Sequence, residues 1–311
     1  MSSINTLAPQ TAGGSTHPEV PSLALPRLER VAPAEDQRAK PLQSLPFLVT
    51  HVAAVVGVLL VPPTATSLLL CVAMLYVRVL GITMGYHRYF AHRSFRTSRV
   101  FQLIMALWAT SSAQKGVLWW AGHHRNHHRY SDRPEDPHSP ARRGFLYSHA
   151  GWIMAKRNER TPIEVIKDMA RYPELRWLDQ HYYVPTVLLA VSCFLLGGWT
   201  GLVWGYFAST VLLWHATFTI NSLCHVFGHR RYPTTDTSRN SLWLTLITAG
   251  EGWHNNHHYF SSSARTGFFW WELDPTYYVI WVLDKLGVVW DVKRPPQHVL
   301  DAGRGADSPA R

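Results

Sequence analysis

Residues 65–92 read ATSLLLCVAMLYVRVLGITMGYHRYFAH, an apolar run that passes without a break into two histidines, His87 and His92. From Ala65 to Met84 the run has roughly the 20 residues that a helix needs to cross a hydrocarbon core. Arg78 is the one charge inside it, at a depth where a guanidinium requires a partner or a route to the interface. A helix of this kind delivers its last residues to a membrane surface. Its histidines therefore arrive at the boundary between lipid and water.

Reading outward, Pro62-Pro63 breaks the chain just before this run, and a second apolar run, about 45–61, lies ahead of the break. A matching pair follows later, about 183–196 and 202–223, divided by Gly197-Gly198-Trp199-Thr200-Gly201. The pattern predicts an all-α membrane protein with four transmembrane helices in two hairpins. The stretch Val100–Trp120 is also apolar, but Gln102, Thr110, Ser111, Ser112, Gln114 and Lys115 interrupt it. We read it as a helix in the interface or against the bundle. Segments 85–182 and 224–300 then form a helical cap on one side. Arg88, Arg93, Arg125, Arg129, Arg142 and Arg143 are concentrated there, so the positive-inside rule makes that side, and both termini, cytoplasmic. Residues 1–44, rich in Pro, Ser, Thr, Gly and Ala, read as a disordered tail, and 301–311 as a flexible one.

Composition agrees with this division. Of 311 residues 16% are charged and 47% hydrophobic, with a net charge of +10; a soluble domain carries about 25% charged residues. The mean hydropathy of −0.09 is nevertheless too polar for a chain that is nearly all membrane. An aromatic share of 13% excludes disorder for most of the chain. Cys71, Cys193 and Cys224 sit in apolar surroundings with no CxxC pair, which excludes a disulfide framework. The basic charge brackets the spans and accompanies no nucleic-acid motif, so no nucleic-acid partner is expected.

The 18 histidines carry the chemistry. Three clusters fall on the cap side: His87 and His92; His124, His127 and His128; His254, His257 and His258. On a helix, residues at i, i+3 and i+4 share a face, so each HxxHH aims three imidazoles at one point. Asn221 and His225 also share a face at the end of the last run. His87 and His92 are five apart, and we expect the helix to end or bend between them. Nine imidazoles exceed what one ion takes and suit two. HExxH, the zinc-protease pattern, is absent, and the Glu-x-x-His spacing Glu251-Gly-Trp-His254 is read as coincidence or as a group behind the ligands. By ligand chemistry alone the metal stays open among iron, zinc, copper and nickel. His51, His149, His181 and His298 read as hydrogen-bonded structural residues. His123, His138, His215 and His229 read as structural or as supports behind the ligands.

At these residues the chain resembles the integral-membrane fatty-acyl desaturases of the acyl-CoA (stearoyl-CoA, delta-9) type, over about 47–292. The resemblance is carried by HRYFAH at 87–92, HRNHH at 124–128, HNNHH at 254–258, and the connecting Asp136-Pro-His138, NSLCHVFG at 221–228 and Gly250-Glu-Gly-Trp-His254. It implies a di-iron centre with O2 as co-substrate. Its ligands would be His87, His92, His124, His127, His128, His225, His254, His257 and His258, with Asn221 associated through water. It also implies removal of hydrogens from adjacent methylenes to leave a cis double bond. An unactivated methylene offers no polar handle, so a metal oxidant is required. Met84, Tyr86 and Trp120 are expected to line the acyl tunnel, and Lys156 and Arg157 align with a basic pair that binds CoA phosphates. Gly122-His123 replaces an Arg-Asp pair of the animal enzymes, which leaves acyl carrier protein or phospholipid open as carriers. No HPGG motif of a fused cytochrome b5 module occurs, so electrons are expected from a ferredoxin, a rubredoxin or a cytochrome b5-like protein. A membrane hydroxylase would use the same metal centre; a metal transporter or sensor would instead need ionisable groups deep in the spans.

Overall fold

The protein is described here by a computed structural model covering residues 38–306; the expected tail up to residue 37 and the last five residues lie outside the described residues. Helix α1 (Pro41–Leu60) stops at Pro62-Pro63, because proline has no N–H to continue the ladder. Thr64 and Ser67 then cap helix α2 (Ala65–Leu80) reciprocally: Thr64 Oγ1 accepts from Ser67 N at 3.1 Å, and Ser67 Oγ accepts from Thr64 N at 2.8 Å. Past Leu80 the helix does not end. It widens into a π-helix over Gly81–Ala91.

The interrupted stretch after it forms two helices joined by a turn, α3 (Arg99–Thr110) and α4 (Val117–Tyr130). With 12 residues, α3 is about 18 Å long at 1.5 Å per residue, too short to span a bilayer. Helix α5 (Tyr183–Thr200) reverses at Gly198, where φ is +56°, into a π-helical segment (Gly201–Ala208) and then α6 (Ser209–Ser222). The reversal brings Thr186 Oγ1 within 2.9 Å of the Tyr206 hydroxyl. A Cβ on Gly201 would fall 2.0 Å from the Cys193 carbonyl oxygen, so only glycine fits there.

The protein is mostly helical, and the runs 65–91 and 183–225 are long and apolar enough to cross a membrane. Their outer faces, and that of α1, are bare: Leu196 is 90% exposed and Leu59 77%. An apolar surface of that extent belongs in lipid. Arg78 finds its partners inside the bundle. Its guanidinium donates to Thr210 Oγ1 at 2.7 Å, Ser209 Oγ at 2.6 Å and the Met74 carbonyl at 3.1 Å, and it is fully buried.

Two boundaries differ from the sequence expectation. Residues 38–44 are ordered: Ala39 bridges Ala155, and α1 begins at Pro41. The chain also stays helical beyond residue 300, in α7 (Gln297–Ala306), because Val299 packs with Tyr232, Phe268 and Phe269, and Tyr232 donates its hydroxyl to the Val299 carbonyl at 3.0 Å. A two-residue antiparallel pairing of Arg96–Thr97 with Val289–Trp290 ties the region after the first histidines to the C-terminal segment. The main core lies beneath the π-turn, around Tyr86, Phe90, Phe95, Met105 and Leu118.

Candidate metal centre

The five-residue spacing of His87 and His92 is explained by the π-helix. In that geometry residue i+5 sits above residue i, and His92 N donates to the His87 carbonyl at 3.1 Å. The two rings lie 4.8 Å apart. The expected break between them is therefore a widened turn. Gly81 and Gly85 let this turn lie on α3: a Cβ on Gly85 would come within 3.3 Å of both Ala109 Cβ and the Met105 carbonyl oxygen.

Helix α4 presents His124, His127 and His128, and the short helix His254–Tyr259 presents His254, His257 and His258. His225 comes from the 3₁₀ turn that follows α6. The nine imidazoles separate into two groups, each with its ring nitrogens within 4.8 Å of one another: His87, His92, His124, His128 and His257 in one, His127, His225, His254 and His258 in the other.

In the first group the Nε2–Nε2 separations are 2.9 Å for His87–His257, 2.9 Å for His92–His124, 3.1 Å for His124–His128 and 2.9 Å for His128–His257. In the second they are 3.2 Å for His127–His258 and 3.1 Å for His225–His254. Each Nε2 can carry only one proton, yet those of His124, His128 and His257 each face two others. Hydrogen bonding alone does not satisfy them. Metal–nitrogen bonds of 2.0–2.1 Å at right angles give edges of about 3 Å, so each group fits the ligand shell of one transition-metal ion.

Three of the opposite ring nitrogens point to carboxylates. His127 Nδ1 is 3.0 Å from Asp136, His258 Nδ1 is 2.6 Å from Asp236, and His87 Nδ1 is 2.7 Å from Glu251. An Nδ1–H held by a carboxylate leaves the Nε2 lone pair free for a metal and makes it more basic. Glu251 is itself fixed by Arg88, which also binds Asp274, both at 2.9 Å. Burial pushes His92, His124, His127, His128, His254 and His257 well below the ordinary histidine range, and neighbouring imidazoles act in the same direction for each of them. They are thus neutral, which is the ligating form. Burial would raise the Asp236 carboxyl, but His258, His225 and Ser238 together hold it well below the usual carboxylate range.

Beside the first group lies a small cavity of about 40 Å³, walled by Trp120, Gln114, Thr217, Phe218 and Asn221 together with His87 and His124. Gln114 is pinned between two neighbours, donating to Thr217 Oγ1 at 2.6 Å and accepting from Trp120 Nε1 at 3.2 Å. Of the expected tunnel residues, Trp120 is in this wall. Met84 and Tyr86 are not; both are packed in the core, with Tyr86 donating to the Lys115 carbonyl at 2.8 Å and stacked on Trp120. Lys156 is exposed, and Arg157 lines a separate polar cavity. His51, His215 and His149 do not converge. They form a chain, Nε2–Nε2 at 3.1 Å and Nδ1–Nε2 at 2.9 Å, that ends on Ser222 Oγ at 2.9 Å.

The supporting carboxylates were missed in the sequence, apart from Glu251 and the unassigned Asp136. Asp236 lies 22 residues from the histidine it holds, with no spacing rule to reveal it. Gln114 was visible only as a polar interruption of an apolar run.

Comparison with known proteins follows the same residues. A palmitoyl-lipid 9-desaturase acting at sn-2, from Nostoc sp. (strain 36), is 37% identical over 257 residues, covering 81% of this chain and 90% of that protein. A hex-5-enoyl-acyl-carrier-protein acetylenase from Moorena producens is 34% identical over 305 residues, 87% and 95% of the two chains. An acyl-CoA 5-desaturase from Anemone leveillei is 38% identical over 222 residues, 70% and 69%. The fatty acid desaturase family model matches residues 62–292, a span that holds every histidine of both groups and the cavity beside them. With histidine-rich metal shells at the end of apolar helices and relatives of this kind along most of its length, the chain belongs to the fatty acid desaturase family.

Proposed function

We propose that this desaturase places a cis double bond at the delta-9 position of a saturated acyl chain, using O2 and two electrons, at a di-iron centre on the cytoplasmic face of a four-span membrane domain. The observation that carries the reading is the division of nine imidazoles into two ligand shells beside one small, mostly apolar cavity. The delta-9 position is supported by the names of relatives such as the Nostoc enzyme.

When bound, the metal pair supplies the oxidising power to take hydrogen from an unactivated methylene. In the balanced reaction, two adjacent methylenes lose one hydrogen each, and O2 with two electrons and two protons becomes two waters. The protein's residues do the rest. Asp136, Asp236 and Glu251 orient His127, His258 and His87. Trp120 and Phe218 shape the wall against which the chain lies and keep water out, while the paired Gln114 and Thr217 hold that wall rigid. Asn221, in the same wall, is placed to hold a water beside the first group.

The four crossings are α1, α2, α5 and the Gly201–Ser222 run. Residues 45–300 would form the desaturase domain, with 85–182 and 224–300 as the cytosolic cap. Electrons would come from a donor protein docking on that cap. The test is lipid analysis of a desaturase-deficient host expressing the chain. A new cis monoene is expected. A hydroxy acid in its place would indicate the hydroxylase instead.

A further inference from the structure

Gln114 and Phe218 belong to two cavities at once. One is the small cavity beside His87 and His124. The other, about 380 Å³, is lined by them and also by Pro46 and Phe47 on α1 and Tyr183 at the start of α5, where exposed residues mark its mouth. Its inner wall includes the buried Trp214 and Tyr206, whereas Pro46 and Tyr183 at the mouth are exposed. The residues flanking that mouth are exposed and apolar: Leu48 and Val49 on α1, Val187 and Leu188 on α5. The opening thus lies on two helices whose exposed side chains are apolar, a surface that suits hydrocarbon.

The rim is polar on one side. Lys115 lines both this cavity and an adjoining one of about 320 Å³ that contains Asp179 and Gln180. Its ammonium lies 5.7 Å from the Trp119 ring and 5.8 Å from the Tyr182 ring. An aromatic-flanked cation beside an apolar slot suits the ester and headgroup level of a lipid.

The cytosolic alternative is poorly built. In the polar cavity that Arg157 and Arg160 line, Glu135 and Glu164 match the two guanidinium groups one for one, which leaves no excess of positive charge for a nucleotide's phosphates. Gly122 has no room for a side chain, since its Cβ would fall 2.8 Å from Pro162 Cγ. Rings also stand between this cavity and the metal-side one: His123, which lines the former, packs 6.2 Å from Trp152, which lines the latter.

Building on the desaturase reading above, we propose that the acyl chain enters sideways from the bilayer between α1 and α5 while still esterified to a glycerolipid, with its ester and headgroup at the Lys115 rim.

The test uses the full chain in phosphatidylcholine vesicles doped with a phosphatidylcholine whose stearoyl chain carries a diazirine. After photolysis, adducts are mapped by mass spectrometry. Adducts are expected at Phe47, Thr50, Tyr183 and Trp214, undiminished by excess stearoyl-CoA. Thr50→Trp, which fills the slot, should reduce them about fivefold or more, and Thr50→Val should not. Adducts confined to the Arg157 cavity, or displacement of the lipid probe by stearoyl-CoA, would overturn the proposal. Labelling requires no turnover, so it stands apart from the function itself. A wild-type protein that labels at the mouth yet forms no monoene contradicts the desaturase reading alone, while one that forms monoene only from acyl-CoA contradicts the portal alone.

Discussion

Asp236 and Asp136 determine what two of the histidines can offer. Each holds an Nδ1–H, so the Nε2 lone pair of His258 or His127 points into the second group. Replacing Asp236 by Asn keeps the shape but loses the charge. Metal affinity is expected to fall about 10- to 100-fold, read as the metal-to-protein ratio after dialysis against a fixed chelator concentration. Arg78 depends in the same way on two hydroxyls. With Ser209→Ala and Thr210→Val together, its buried guanidinium keeps only the Met74 carbonyl. The double variant should be less stable by about 3 kcal/mol, measured by unfolding in detergent, because a buried charge is left uncompensated. The sequence revealed the nine histidines because they recur at helical spacing against apolar ends. It hid Asp236 and the partners of Arg78, since Ser209 and Thr210 lie about 130 residues away in the chain and pairings across that separation follow no period.

Among the elements, the π-turn of Gly81–Ala91 contributes most. It turns a spacing that an α-helix would misalign into two rings 4.8 Å apart. Its place depends on close approach to α3. Gly85→Val would press on Ala109 and the Met105 carbonyl, and we expect about 1–3 kcal/mol of destabilisation together with loss of metal, seen as a lower thermal midpoint and a lower metal content. The helices α1, α2, α5 and α6 were legible as apolar runs, and the reversal near Gly198 as a glycine cluster. The π-turn was not, because an i+5 bond leaves no hydrophobic period to read. Nor was α7: its helix is held by Tyr232 and Phe269 from elsewhere in the chain, and its own composition is polar.

At the scale of the whole molecule, the metal centre joins what the sequence separates. The π-turn after α2, helix α4, the turn after α6 and the short helix at His254 bring histidines together from distant parts of the chain. Metal ions held there would clamp these segments to one another. Removing them with a chelator should lower the unfolding free energy by about 2.7 kcal/mol per ion held at a hundred times its dissociation constant, detected as a drop in thermal midpoint that added iron reverses. The central claim is that a fatty-acyl chain is desaturated at these histidines. Its most direct test is gas chromatography–mass spectrometry, with double-bond position resolved, of lipids from a desaturase-deficient host expressing the wild-type chain or His257→Ala. A cis delta-9 monoene with the wild type and none with His257→Ala is the predicted result. Monoene that persists in His257→Ala, or a wild type that leaves the lipids unchanged, would contradict it.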